Sequence, residues 1–334
     1  MDDLTLKRYA DLLVGFGANV QPGQVVMIAG YTGQEEFFRA AAESAYEHGA
    51  KFVDTYYFDP WVKRSRIAHA PADTLDYVPP WYGYRMLQLG ELRAARIGFS
   101  STVAPGLMQD LDPARAGRDQ MPAVKELHEV ISAETTNWSG GPAPVTAWAK
   151  LVHPDLDEEA ALALLWEQIV HVTRLDEPDP VAAWRERAAQ TSDAARRLTE
   201  RHFDSLHLEG PGTDLTIGLL PSSRWMNALF RTADGIEHMA NMPSEEVFTT
   251  PDPERTQGVV RATKPLQLVG TIVRDFTVRF EGGRAVEIEG DGAEILAGQT
   301  KLDDGASRLG EIALVDREGR IGKLDTVFYD TLLD

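Results

Sequence analysis

The chain contains 334 residues, of which 43% are hydrophobic and 25% are charged, and these values are typical of globular proteins with one large or two smaller domains. Its 33 basic and 52 acidic residues give a net charge of −19, which argues against binding nucleic acid or an anionic membrane through bulk charge. Because the chain has no cysteine, disulfides and thiolate metal sites are excluded, and any metal must be held by oxygen or imidazole ligands.

The beginning of the chain and its apolar runs predict a cytoplasmic protein. The opening residues Met1-Asp2-Asp3-Leu4 form neither a basic n-region nor an apolar h-region, so no signal peptide is expected. No run approaches the roughly 18 apolar residues of a transmembrane helix, so no membrane span is expected.

The first 200 residues alternate between short apolar runs and longer segments with helical periodicity. The predicted strands lie at 25–29, 51–57 and 95–100, with extended chain again near 136–138. The predicted helices lie at 4–17, 34–48, 82–94, 112–132, 157–174 and 179–200. The first two strands and the helix between them make a βαβ unit, which should be right-handed with parallel strands. Residues 1–202 are therefore predicted to form an α/β domain with a doubly wound sheet.

The turn after the first strand raises the alternative of a nucleotide-dependent enzyme. It contains Gly30 and Gly33, but a dinucleotide site requires the pattern G-x-G-x-x-G, which this spacing does not give. A tight turn explains both glycines, so the sequence disfavours a nucleotide site.

The sequence pattern changes after about residue 203, where short apolar runs alternate with glycine and proline turns. Hairpins are predicted around the turns at 210–212 and 281–284, and the Gly-Gly pair of the second suits a primed turn. Further strands are predicted at 312–315 and 326–329. Residues 203–334 are therefore predicted to form a β-rich, mostly antiparallel α+β domain that carries the functional site.

Two acidic stretches of this second domain lie between apolar runs. Glu245 and Glu246 are adjacent in a segment with a proline at each end, which favours a short, stiff, extended backbone. Such a segment should carry at least one carboxylate inward, where it needs a cationic partner, hydrogen bonds or a metal. Glu311 precedes the apolar run 312–315. The alternative is a non-catalytic α/β protein whose acidic pairs lie on its surface.

Several further motifs occur in a fixed order along the chain. They are NVQPGQ (19–24), PPW (79–81), NW (137–138), AWA (147–149), DPVAAW (179–184), PGTDL (211–215) and DGASRLGE (304–311). Together with the two acidic stretches, they make the whole chain resemble the M29 family of metallo-aminopeptidases, of the aminopeptidase T and aminopeptidase S types.

The resemblance implies a homodimeric exopeptidase that removes N-terminal residues from peptides. It implies two divalent ions, Zn²⁺, Co²⁺ or Mn²⁺, that activate a water for hydrolysis. It further implies that Glu246 and Glu311 are two of five metal ligands and that Glu311 bridges the ions. Neighbouring residues of a regular strand point to opposite faces, so Glu245 could act as a general base only at a kink or bulge. The other role predicted for Glu245 is to form a salt bridge, or to accept a hydrogen bond from a metal ligand without binding the metal itself.

Glu246 and Glu311 lie far apart in the sequence, so folding must bring them together. They are expected to converge within the span of two ions about 3.5–4 Å apart. Without metal, their like charges should repel and raise the pKa of at least one of them.

The end of the chain departs from the family pattern. The family's remaining histidine and aspartate ligands, and a tyrosine thought to assist catalysis, lie beyond the position that matches Asp334. The chain is therefore expected to lack a C-terminal segment, to bind zinc weakly, to be inactive or nearly so, and to expose Phe328 and Leu332 at an open groove. No histidine has a metal-binding spacing, and ligation by His238 is disfavoured.

Overall fold

The first half of the molecule is built on a parallel sheet. The structure, a computed structural model, describes residues 2–119, 121–268 and 270–334. The strands are β1 (Val25–Tyr31), β2 (Phe52–Phe58), β3 (Ala95–Ser100) and β4 (Trp138–Pro142). They are parallel and follow the order β2-β1-β3-β4, so the predicted βαβ unit is confirmed.

Five of the six helices predicted for this half are present, and the structure adds short helices at 60–69 and 146–152. The helices are α1 (Asp3–Asp11), α2 (Glu35–Glu47), α3 (Pro60–His69), α4 (Pro80–Glu91), α5 (Pro113–Arg118), α6 (Lys125–Ser132), α7 (Thr146–Val152), α8 (Glu158–Val172) and α9 (Pro180–Glu200). The single helix predicted over 112–132 is wrong, because the chain forms α5 and α6 with Pro122 between them. A proline lacks the backbone N–H that a helix interior requires, so the helix cannot run through this point.

The parallel sheet buries both of its faces, as a doubly wound sheet must. Val26 and Ile28 of β1 pack on one face in the main core, with Phe37 of α2. Met27, between them, points to the other face and packs with Met86 of α4. This alternation along β1 confirms the predicted α/β fold class of the first half.

The second half is mostly antiparallel. Its elements are β5 (Ser205–Gly210), β6 (Thr213–Leu219), β7 (Leu229–Arg231), β8 (Glu237–Met239), β9 (Glu246–Thr249), β10 (Pro251–Arg261), β11 (Leu266–Leu268), β12 (Thr271–Glu281), β13 (Arg284–Asp291), α10 (Ala293–Gln299) and β14 (Ile312–Val315). The larger sheet has the order β11-β12-β10-β6-β5, and β13 pairs with β12. Both predicted hairpins are present, and Gly282 and Gly283 adopt φ values of 54° and 80°, which a primed turn requires.

The two halves are joined by main-chain hydrogen bonds along the outer edge of β4. Gly140 donates its N–H to the carbonyl of Ala240 at 2.8 Å, and Met242 donates to the carbonyl of Gly140, also at 2.8 Å. The side chain of Met242 is fully buried in the main core. This edge pairing fixes the backbone three residues before Glu245 and so positions the acidic stretch.

The last residues fold back onto the first half, which corrects two predictions. Residues 326–329 are not a strand: Tyr329 has a left-handed φ of 58°, and the Asp334 carboxylate accepts the N–H of Phe328 at 2.7 Å. The expected exposure of Phe328 is wrong, because its side chain is fully buried in the main core and its carbonyl accepts the Trp148 indole N–H at 2.6 Å. Leu332 is partly exposed, as expected.

The predicted domain boundary between residues 202 and 203 stays a prediction. The parallel strands all precede it and the antiparallel ladders follow it. Along the described parts of the chain, none of the helices combines the length and hydropathy that a membrane span requires.

Candidate functional site

The acidic stretches meet in a short antiparallel ladder formed by β9 and β14. Glu246 lies opposite Val315 at one end of the ladder, and Thr249 lies opposite Ile312 at the other. On its other side, β9 bonds to the chain at Met226, which forms an antiparallel bridge with Phe248. The proline-flanked segment is therefore held as a strand between two neighbours, as its sequence predicts.

Glu246 and Glu311 lie on the same face of this ladder. Glu311 directly precedes Ile312, so the register places it opposite Thr250, four positions from Glu246. Residues an even number of positions apart on a strand point to the same face. Four residue steps, roughly 13 Å of strand, separate Glu246 from the position opposite Glu311, so the two side chains must lean together to share an ion.

Glu246 and Glu311 are two carboxylates on this face that have no cationic partner among the described residues. Burial first, and then the negative charge of Glu311, raise the pKa of the half-buried Glu246 carboxyl above its usual value. Among the described residues, no lysine, arginine or histidine forms an ion pair with either carboxylate. Two oxygen donors without a cationic partner fit a hard divalent ion.

Glu245 faces the opposite way and is neutralised. Its side chain is fully buried, and Oε1 accepts a hydrogen bond from Arg174 Nη2 at 2.7 Å. Arg187 Nε lies 4.0 Å from the same oxygen, and Oε2 accepts the Ile321 N–H at 3.3 Å. The next residue on this face, Val247, packs with Trp225.

This pairing bears on the predicted roles of Glu245. A carboxylate that is saturated by an arginine and a backbone N–H is poorly placed to accept a proton from water. The ion pair matches the alternative role named for Glu245, and its role as a general base stays a prediction that the pairing argues against.

Sequence reasoning missed the two arginines that hold Glu245. Arg174 follows α8 and also stacks on the Trp184 ring, with its guanidinium carbon 4.6 Å from the ring centroid. Arg187 of α9 donates to the Asp316 carboxylate at 3.0 Å. Both arginines lie more than 50 positions from Glu245 in the sequence, so no local spacing could have revealed the contact.

The histidines stay apart from the acidic ladder. His238 is buried in an aromatic cluster with Trp138 and Phe230, and burial lowers its pKa. His207 pairs with Asp214 at 2.9 Å on the surface. In residues 2–119, 121–268 and 270–334, no group of three or more His, Asp or Glu side chains is placed to hold a metal ion.

Comparison with known proteins extends over nearly the whole chain. The model of the thermophilic metalloprotease (M29) family matches residues 2–334. Aminopeptidase T of Thermus aquaticus is 40% identical over 340 residues, a match that covers 100% of this chain and 83% of that protein. Aminopeptidase AmpS of Bacillus subtilis is 38% identical, with 98% of this chain and 81% of that protein covered.

Solved structures show the same fold. Wild-type AmpT from Thermus thermophilus superposes with a TM-score of 0.87 at 38% sequence identity, covering 99% of this chain and 83% of that one. The 2,5-dihydroxypyridine dioxygenase from Pseudomonas putida reaches a TM-score of 0.54 at 13% identity, which shows a likeness of fold alone.

Proposed function

Because the chain belongs to the M29 metalloprotease family, we propose that it is an aminopeptidase that removes N-terminal residues from peptides and binds divalent metal through Glu246 and Glu311. The observation that carries this proposal is the acidic pair on one face of the β9–β14 ladder, which has no cationic partner among the described residues and in which burial, and then the charge of Glu311, raise the pKa of Glu246. In the alternative, a non-catalytic protein with acidic pairs on its surface, both carboxylates would be solvated. A half-buried carboxylate without a cationic partner costs folding free energy, and the alternative does not explain this cost.

Glu246 and Glu311 would help to hold two divalent ions at this site. When bound, Zn²⁺, Co²⁺ or Mn²⁺ supplies Lewis acidity and an activated water for amide hydrolysis. The protein's own contribution is positioning. The ladder fixes the backbone of Glu246, and the buried contact of Glu245 with Arg174 locks the strand on its other face.

Further ligands follow from the family resemblance. We propose that Glu246 and Glu311 are two of five ligands. Two carboxylates alone should hold zinc weakly, since zinc sites normally combine three or four protein ligands. The 334-residue chain is therefore proposed to be inactive or nearly so, and the enzyme to be a cytoplasmic homodimer.

The test is an aminopeptidase assay on a leucyl chromogenic substrate with added Zn²⁺, Co²⁺ or Mn²⁺, alongside calorimetric titration of the metal. It compares the 334-residue chain with any longer product of the same reading frame. A product that carries all five ligands should bind metal tightly and turn over, whereas the 334-residue chain should do neither. Tight zinc binding with turnover by the 334-residue chain would contradict the proposed inactivity.

A matched pair of variants tests the two carboxylates themselves. Glu246→Gln should weaken metal binding, because it replaces an anionic ligand by a neutral amide. Glu289→Gln, an exposed glutamate of β13, should leave metal binding unchanged. Equal metal affinity for both variants would overturn the role of Glu246.

A further inference from the structure

A cavity of about 540 Å³ opens beside the parallel sheet, on the face covered by α4 and α6. Its walls are mostly apolar and aromatic, and they include Met27, Tyr31, Tyr56, Met86, Arg96 and Gln299. It lies toward the carboxyl ends of β1 and β3, which are neighbours in the order β2-β1-β3-β4. In doubly wound sheets this is the switch point where ligands bind.

Arg96 brings an unpaired positive charge to this cavity. It lies on β3 opposite Met27, so it shares the sheet face from which Met27 points. Its Nε and Nη1 atoms are buried and have no hydrogen-bond partner in the described parts of the chain. Burial lowers the pKa of Arg96 to about 10, so the guanidinium stays charged at neutral pH. A buried, unpaired charge is costly and calls for an anionic partner.

The other cations near the cavity already have partners. Arg85 donates to the Asp54 carboxylate at 2.7 Å. Lys63 Nζ donates to the carbonyls of Asp119 and Met121 at 2.9 and 2.7 Å. Arg96 is thus the cation of this wall whose donors are free to meet a ligand.

A second free donor belongs to the lining of the cavity. Gln299, the last residue of α10, lines the cavity, and its buried Nε2 has no hydrogen-bond partner among the described residues. The one acidic lining residue, Asp119, is neutralised by Arg66, whose Nη1 lies 3.3 Å from its Oδ2. Among the described residues, the buried Asp119 Oδ2 also lacks a hydrogen-bond partner, although Arg66 offsets its charge. The unpaired N–H donors of the lining belong to Arg96 and Gln299, and an anionic acceptor would match them.

We propose that this cavity binds a small organic carboxylate with an apolar, flat or branched body. The Arg96 guanidinium and the Gln299 amide donate to the carboxylate, and the methionine and tyrosine walls enclose the body. A free inorganic anion would match the donors but leave the apolar walls unfilled. Glu246 and Glu311 do not line the cavity, so the inference does not rest on the proposed aminopeptidase function.

Phenylacetate is the probe, and phenylacetamide is its neutral isostere. Calorimetric titration of the unaltered protein should show binding of phenylacetate and at least about tenfold weaker binding of phenylacetamide, because the amide cannot supply an anionic acceptor. No binding of phenylacetate at millimolar concentration, or equal binding of both compounds, would overturn the proposal.

Arg96→Met removes the charge and keeps an apolar stem of similar length. It should weaken phenylacetate binding at least about tenfold. Arg85→Met is the matched control, because Arg85 lines the same cavity but donates to Asp54, and it should change the affinity by less than about threefold. A larger loss in the Arg85 variant than in the Arg96 variant would contradict the assignment.

A cavity-filling variant gives an independent test that leaves Arg96 in place. A Cβ at Gly98, on the same face of β3, would meet no heavy atom within 4 Å, so Gly98→Val should fold and occupy part of the cavity. Gly210→Val on β5 meets equally open space away from the cavity and serves as its control. Gly98→Val should weaken binding and Gly210→Val should not, and unchanged binding in a folded Gly98 variant would place the ligand elsewhere.

Discussion

The two faces of β9 treat neighbouring carboxylates in opposite ways. On the face toward α9, Glu245 is fully buried and bonded to Arg174 at 2.7 Å. On the other face, Glu246 is half-buried, has Glu311 as its charged neighbour, and has a raised pKa because of burial and that charge. Glu245 and Glu246 are adjacent in the chain, yet the first carboxylate is paired with an arginine and the second has no cationic partner among the described residues. The Glu245 side is the neutralised face of β9, and the Glu246 side is its open face. The first arrangement is typical of structural support and the second of a ligand site.

The largest expected effect is on activity, and it should follow the open face alone. In a catalytically active form of the protein, Glu246→Gln and Glu311→Gln should each lower kcat/KM by more than about 100-fold, because even the loss of a residue that only orients a metal ligand costs about 10–100-fold. The melting temperature should change little, so the loss is one of metal binding. A variant with normal turnover at saturating Zn²⁺ would show that its carboxylate is not a ligand.

The neutralised face should govern stability. Glu245→Gln leaves Arg174 as a buried charge without its partner, and we expect a loss of about 3 kcal/mol in the free energy of unfolding. Denaturant unfolding measures this loss. The double variant Glu245→Gln, Arg174→Met should recover part of it, because both charges are then removed. If Glu245→Gln instead kept full stability and lost turnover, Glu245 would act as a general base.

The open face should respond to pH in the metal-free protein. Because the folded-state pKa of Glu246 is raised, its ionised form destabilises the fold at neutral pH, and this cost fades as the pH falls through the raised value. Glu246→Gln should therefore be neutral or stabilising by up to about 1 kcal/mol at pH 7, and the gain should shrink on acidification. Glu311→Gln should also be neutral or stabilising at pH 7.

Thermal melts at several pH values with excess chelator, using Glu289→Gln as the control, measure this difference. A clear loss of stability in the Glu246 variant at pH 7 would mean that its carboxylate has a structural partner.

The smallest effect should come from Asp316, an exposed carboxylate at the edge of the face of β9 on which Glu245 is paired with arginine. Asp316 accepts a hydrogen bond from Arg187 at 3.0 Å, but its side chain is 43% exposed. Asp316→Asn should cost no more than about 1 kcal/mol, because solvent screens an exposed pair. A loss as large as that of Glu245→Gln would show that the whole arginine network acts as one unit, which a double-variant cycle would measure.

The sequence predicted features that depend on local pattern. The strand between Pro243 and Pro251 and the primed hairpin at Gly282-Gly283 follow from residue types within a few positions. The contact of Glu245 with Arg174 joins residues 71 positions apart, and apolar periodicity carries no information about such a pair. Arg96 shows the same limit, since its place on a strand was predictable but the cavity beside it was not.

The errors near the C-terminus have a related cause. Residues 326–329 carry the β-branched and aromatic types of a strand, but a strand also requires a neighbour for its N–H groups. The Asp334 side chain takes those groups instead, at Phe328 and Asp330. Phe328 was expected at the rim of a groove because a C-terminal segment that would cover it was expected to be lacking. Its burial in the first core could be known only from the folded chain.

The burial of Phe328 also sets an order of events during synthesis. Its carbonyl meets the Trp148 indole across 180 positions, and at about 5–20 residues per second these take roughly 10–40 s to translate. Once α9 has been made, the nascent first half has its sheet and its helices but still lacks Phe328, a fully buried side chain of its main core. Such a chain exposes apolar surface to chaperones and to other nascent chains on the ribosome. The strands of the parallel sheet are therefore synthesised early, but the core that packs on the sheet receives its last side chains only near the end of synthesis.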